Sequence, residues 1–441
     1  MSGWKSLCSA AVFALVPVGP AMAETLQDAL DAAYQSNPDL ASQRTSAEIA
    51  REALESARAA GRPSVSLTAS AGYESLDSTR AVAFDTGDRP IANASLQATQ
   101  PLFTSGRISG GIRQAAAGVS AADLQLEAQR QTLFLDTVSA YVNVRRDLEA
   151  VAIRENNVEV LVEQARAAAD RFEVGVVTRT DVKLAEARLA GTRAALAGAE
   201  ATLEGSRANY VQVVGVAPVA LDVPPPPPPL PTTIEDAITI ALGENPDLLA
   251  ARENVRAAEA AIRVAEGSRG PEISLVGTAS AQQTYTENEI SLGGGPPVTD
   301  DNPSDTTVSA VIQARIPLYQ GGQLNADVRS ASLRRRQARE AVDGIERQVR
   351  AGVAQSWYGY IAATQSIAAS EAQVEAAEIA YEGAKEELAV GVRTTLDVLD
   401  QEQELFDARL ALIDAERDAY VSAHQLLRQM GRLTLDRSGA S

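Results

Sequence analysis

Asp397 and Asp400 lie three positions apart, and Glu404, Asp407 and Asp414 continue the series at heptad-compatible spacing. On a helix such a set shares one face. Two kinds of work are open to it. An acid in a first helical turn completes a cap and suits the helix dipole, with Thr394 or Thr395 as the capping residue. A row of acids also makes an electronegative wall, whose plain alternative is a solvated outer helix face. Other chemistry finds little support. His424 is the only histidine, in a helical stretch with no apparent metal partners, and no phosphate-binding glycine loop or nucleophile elbow is present. No catalytic residue, cofactor or metal is assigned, and a non-enzyme is expected.

Composition narrows the class. The chain carries 58 Asp+Glu against 39 Lys+Arg, a net charge of −19. Such a surface repels phosphate backbones, so no nucleic-acid partner is expected. Aromatics are only 4%, and the helical stretches are rich in Ala, which suits long helices packed closely through small side chains. Residues 1–23 read as a secretory signal peptide: Lys5, an apolar stretch from Ala10 to Val18, then Ala21-Met22-Ala23 before Glu24. Cys8, the only cysteine, lies ahead of that stretch; cleavage after Ala23 leaves no thiol and no disulfide. No later stretch approaches the ~18 uninterrupted apolar residues of a membrane helix. An exported chain of this kind is either soluble or a β-barrel.

The elements that carry these residues occur twice. Val174-Gly175-Val176-Val177-Thr178-Arg179-Thr180-Asp181-Val182 returns as Val390-Gly391-Val392-Arg393-Thr394-Thr395-Leu396-Asp397-Val398. The same displacement relates Pro101-Leu102-Phe103 to Pro317-Leu318-Tyr319. Asn37-Pro38-Asp39-Leu40 matches Asn245-Pro246-Asp247-Leu248 at a slightly shorter displacement, which places an insertion between Leu275 and Pro317. The chain divides into a first repeat at 24–223, a polyproline linker at 224–231, a second repeat at 232–432, and a short disordered tail at 433–441.

Within each repeat the period changes twice. Thr25 to about Ala60 reads as helix, with a capping-box-like start at Thr25 and Asp28, a possible break at Asn37-Pro38 and a stop at Gly61-Arg62-Pro63. Ser64 to Glu74 then alternates, as does the stretch through Ala92, Ala94, Leu96 and Ala98. The second repeat follows with Ile273, Leu275, Ala279 and Ala281, then Val308, Ala310, Ile312, Ala314 and Ile316. Period-two runs of ~9–11 residues fit strands with lipid on one side and water on the other, or half-buried strands of a soluble sandwich. Four strands cannot close a barrel, for which about eight are needed, so a barrel must be shared by several chains. Long helical patterns follow, from Gly106 to about Glu173 and from Gly322 to Val390, spanning ~100 Å at 1.5 Å per residue. Shorter ones run from about Thr180 to Val214 and from Thr395 to Met430. In the last, Leu396, Leu399, Phe406, Leu410 and Ile413 form a coiled-coil seam; the matching face of the first copy carries Thr180, Lys183, Ala187, Ala190, Ala194 and Ala197.

Strand pairs flanked by long helices, done twice, with Val-Gly-x-x-Thr at the helical turns and Pro-Leu-Phe/Tyr-x-x-Gly after a strand, resemble the TolC family of outer-membrane efflux channels. The resemblance implies a mainly α fold with a small β-barrel part: a long coiled-coil α-helical barrel and four transmembrane strands per chain, in a twelve-stranded barrel shared by a homotrimer. The duct would sit in the lipid of a Gram-negative outer membrane and extend into the periplasm. It would work with a periplasmic adaptor and an inner-membrane RND or ABC transporter, in efflux or type I secretion. The absence of a lipid-anchor cysteine leans toward the secretion-like branch. Loops at about Leu76–Pro90 and Glu287–Asp305 would be extracellular. Asp397 and Asp400, with Asp181, match the acids of the family's periplasmic aperture, where three copies would favour cations. Arg393 and Thr180 match its gate latch, whose tyrosine is here Leu388. Val174, Gly175, Val176, Val390, Gly391 and Val392 match the turns that receive the adaptor. Glu404, Asp407 and Asp414 would extend the acidic stripe along the lumen. The alternative from another class is a soluble periplasmic coiled-coil adaptor or scaffold.

Overall fold

The computed structural model describes residues 23–76, 87–285, 289–290, 298–299 and 304–434. Nearly all of the expected signal peptide with Cys8, much of both expected extracellular loops and positions 435–441 of the expected tail lie outside the described residues. The helices are α1 (Leu26–Ser36), α2 (Pro38–Ala59), α3 (Arg107–Glu173), α4 (Arg179–Val214), α5 (Ile234–Glu244), α6 (Pro246–Gly267), α7 (Gln323–Ala389) and α8 (Thr395–Met430). Both α3 and α7 have 67 residues, and both α4 and α8 have 36. The strands are β1 (Ser64–Leu76), β2 (Gly87–Phe103), β3 (Glu272–Thr284), the two-residue β4 (Glu289–Ile290) and β5 (Val298–Thr299), and β6 (Ser304–Arg315). The fold is therefore mainly α with a small antiparallel β part.

The chain forms two compact units. One comprises Ser42–Ala128 and Leu242–Arg350, the other Met1–Ala41, Gln129–Ala241 and Ala351–Ser441. The first holds the sheet, ordered β1-β2-β3-β6 and antiparallel throughout, so that a strand of the first repeat pairs with one of the second. Its register separates two kinds of side chain. Leu67, Leu96, Ala279 and Val308 stand in one cross-strand row, and Val65, Ala98, Gly277 and Ala310 in another on the same face. One residue along each strand, Thr68, Ser95, Ser280 and Thr307 form a polar row on the opposite face. Strand period two turns the alternation of the sequence into an apolar face and a polar face. Within the chain the apolar face is uncovered: Leu67 is 71% exposed, Val308 78% and Ile312 72%.

The second unit is built on α1, the later part of α3, α4 and the last turns of α8. Thr25 caps α1 in a capping box with Asp28, and Asn37 ends the helix because a residue before proline is driven to extended backbone. Leu26, Ala29, Val138, Tyr141, Leu203, Tyr210 and Val214 make the core. Two buried tyrosines hold Glu24, the first residue after the expected cleavage point. The Tyr210 hydroxyl donates to its carboxylate at 2.6 Å, and the Tyr141 hydroxyl lies 2.8 Å from its carbonyl oxygen and from that of Asp222. Burial pushes the Tyr141 phenol up to about 12 and raises that of Tyr210 further, so both stay donors. The prolines at 224–231 adopt neither helix nor strand, and the Pro225 carbonyl accepts from Tyr420 at 3.0 Å. Leu433 is buried, where the sequence placed the start of a disordered tail.

Candidate functional site

The two helix–helix turns are alike in detail. Gly175 (φ +76°) and Gly391 (φ +79°) adopt left-handed backbone that β-branched neighbours could not, which fixes glycine at both. Val176 donates to the Arg171 carbonyl and Val392 to that of Glu387, each at 2.9 Å, the long return bond of a Schellman stop. Stopping the helices this way leaves Val174, Val176, Val390 and Val392 at 74%, 71%, 75% and 74% exposure. Each turn therefore exposes two large apolar side chains.

The next helices open on capping boxes. Thr178 donates its N–H to Asp181 at 2.8 Å and accepts from the Asp181 N–H at 3.3 Å; Thr394 and Asp397 do the same at 2.9 and 3.3 Å. Both carboxyls are held below the usual carboxylate range by the threonine N–H and then the hydroxyl. The capping role weighed for Asp397 is thus realised, and the carboxylate stays charged while it serves. Asp400, one turn on, is exposed and forms an ion pair with Arg188 of α4. Arg393 pairs within the chain with Glu387 in the last turn of α7, and Thr180 is exposed in the first turn of α4.

Further along α8, Glu404, Asp407 and Asp414 are exposed, as is Asp400. Their charge is moderated by neighbours: Gln373 donates to Glu404 at 3.4 Å, Gln403 to Asp407 at 3.0 Å, and Arg146 lies 3.6 Å from Asp414. The predicted seam is shifted. Leu399 and Phe406 are buried as expected, together with Val398 and Leu405, whereas Leu396 is 40% exposed. On α4, Ala187, Ala190, Ala194 and Ala197 are exposed, leaving its small-residue face open within the chain.

Glu402 is absent from the residues the sequence singled out. It is 3% exposed, accepts from Gln164 of α3 at 2.6 Å and from Tyr381 of α7 at 3.3 Å, and is raised in pKa by burial against those hydrogen bonds. No signal in the sequence marks it: the seam from Leu399 to Phe406 runs through Gln403, and Glu402 stands one residue to its side.

Comparison with known proteins decides the family. The outer membrane efflux protein model matches residues 29–216 and again 237–432. The chain belongs to the outer membrane efflux protein family. This efflux protein is 34% identical over 419 residues to the outer membrane efflux protein BepC of Brucella suis, covering 95% of this chain and 88% of that one. It is 26% identical over 420 residues to the outer membrane protein TolC of Escherichia coli K12, covering 93% and 83%. The solved structure of the outer membrane protein VceC from Vibrio cholerae shares the fold, with a TM-score of 0.76 at 21% identity over 92% of this chain and 96% of that one. The efflux protein is an outer-membrane protein, and its relatives are channel proteins rather than enzymes. Among the described residues no helix is long and apolar enough to cross a membrane.

Proposed function

We propose that this chain is one protomer of a homotrimeric exit duct for a tripartite efflux or type I secretion system, spanning the outer membrane and reaching into the periplasm. The observation that carries the reading is the four-stranded amphipathic sheet, whose outer strands β1 and β6 pair on one side only. Four strands fall short of a barrel, and three copies supply twelve. Pairing β6 of one chain with β1 of the next would satisfy both edges, and the barrel would set its apolar face to lipid and its polar face to water. The open alanine face of α4 supports close packing by a neighbouring helix.

The exposed valines and Gly175 and Gly391 form the seat for a periplasmic adaptor at Val174–Val176 and Val390–Val392. Asp397, Asp400 and Asp181, three copies of each, line the periplasmic aperture and favour cations. Arg393 and Thr180 link neighbouring helices at the closed tip, with Glu387 as the partner Arg393 holds within its own chain. Glu404, Asp407 and Asp414 face the lumen. The two halves, 24–223 and 232–432, are structural repeats joined by the proline spacer 224–231 and followed by the tail 433–441; one match to the family model in each half supports this division. Transport energy comes from an inner-membrane RND or ABC transporter.

The test is cross-linking and planar-bilayer recording of the purified chain in detergent, wild type beside Asp397→Ala/Asp400→Ala. A three-chain species with a small cation-selective conductance, whose selectivity falls in the variant, is expected. A protein released with the periplasm, soluble without detergent and silent in bilayers, would overturn the duct and favour a scaffold.

A further inference from the structure

We propose that Glu402 is the centre of a latch that ties α8 to Gln164 of α3 and Tyr381 of α7 behind the helix turns, and that a proton on its carboxyl tightens this latch. The proposal rests on the duct reading above. Glu402 lies about two turns into α8 from its cap at Thr394. It is 3% exposed, between the buried Val398, Leu399, Leu405 and Phe406. Ala377, Leu405 and Ala408 form a small core beside it, with Val374 and Tyr381 packed against them. A charge in such a place is costly unless it is paired.

The pairing is with neutral groups. Gln164 reaches one carboxyl oxygen at 2.6 Å and the Tyr381 hydroxyl the other at 3.3 Å. From α7 the charged group acting on Glu402 is Lys385, which stands 5.1 Å over the Tyr381 ring and also lies 3.2 Å from Glu382; α3 presents the uncharged Gln164. Among the described residues no ion pair reaches Glu402.

One detail favours a proton in the latch. The Gln164 side-chain oxygen is buried without a hydrogen-bond partner. Turning the Gln164 amide over lets a protonated Glu402 donate to that oxygen while its other oxygen still accepts from Tyr381. Burial of the carboxyl acts in the same direction, against the two hydrogen bonds and Lys385. Any opening that moves α7 and α8 away from α3 must break this joint and admit water to the acid. The closed state therefore holds the proton more tightly than the open one. Its extra stability is full at low pH and is lost as pH rises through the closed-state value.

The experiment records bilayer conductance of the full chain between acid and mildly alkaline pH. Wild type should open as pH rises. Glu402→Gln, which accepts from Tyr381 and donates to a turned Gln164, should stay closed and lose that pH dependence. Glu402→Ala should raise open probability roughly tenfold at low pH, the factor that about 1.4 kcal/mol corresponds to. A Gln164→Cys/Glu402→Cys pair, in a chain whose only native cysteine is Cys8, should lock the channel under oxidation and release it under reductant. A conducting channel that keeps its pH dependence in Glu402→Gln overturns the latch and leaves the duct intact, as does an oxidised Cys pair that opens freely. Silence of the wild type at every pH overturns both.

Discussion

The face assignment of the sheet can be tested by a single step along one strand. Ala279 sits near the middle of β3, between Leu96 on β2 and Val308 on β6, in the apolar row that also holds Leu67. Its neighbour Ser280 stands in the opposite row, between Ser95 and Thr307. An arginine on the lipid face at mid-depth costs about 2–4 kcal/mol, so Ala279→Arg should cost a closed trimer roughly 6–12 kcal/mol over its three copies. Ser280→Arg places the same charge on the water side and should cost close to nothing. Strand propensity and chain length change little between the two variants, so the difference isolates the environment. The assay is guanidinium unfolding of the protein in lipid vesicles, with outer-membrane yield as a second measure. Ala279→Arg should lose most folded protein, and Ser280→Arg should match wild type. If Ser280→Arg is the more damaging, the faces are reversed. If both are harmless, the sheet does not meet lipid.

Three further outcomes follow from the geometry. Tyr210→Phe removes a buried hydroxyl that donates to Glu24 at 2.6 Å, and denaturant unfolding should show a loss of about 1–2 kcal/mol. The Asp181 and Asp397 carboxyls are lowered by their capping bonds, so the stability these caps give is present above the unfolded carboxylate value of 3.8 and lost as pH falls through the lower folded values. Amide exchange at the starts of α4 and α8 should therefore rise only in strong acid, and Asp397→Asn should remove that pH dependence at α8. Arg188→Ala breaks the half-exposed pair with Asp400, and should cost under about 1 kcal/mol in unfolding while raising bilayer conductance.

Much of this molecule is legible in its sequence. The repeat makes α7 the counterpart of α3 and α8 the counterpart of α4, and the turn residues locate the helix ends to within a residue or two, because a left-handed glycine and a Thr-x-x-Asp box are local requirements of the backbone. Period-two alternation located all four long strands for the same reason. Spacing marks the acids at 397 and 400 but does not choose between capping and charge, because one aspartate can do both. Structure gave Asp397 the cap and Asp400 an arginine on another helix.

What escaped the sequence depended on partners distant in the chain. The spacing in α8 predicts a seam from Leu396 through Ile413, yet Leu396 is exposed and Val398 and Leu405 are buried, since the side a helix buries is set by the helices beside it. Glu402 does not stand out in the sequence, because an acid inside an apolar stripe has no meaning until Gln164, some 240 positions away, and Tyr381 are brought to it. Features that act over a turn or a strand period are therefore determined by the sequence alone: element type, element ends, the repeat and the two faces of each strand. The pairing of β2 with β3 and the burial of Glu402 are long-range contacts, and only the tertiary structure could decide them, because their energy comes from groups the chain brings together after those elements have formed.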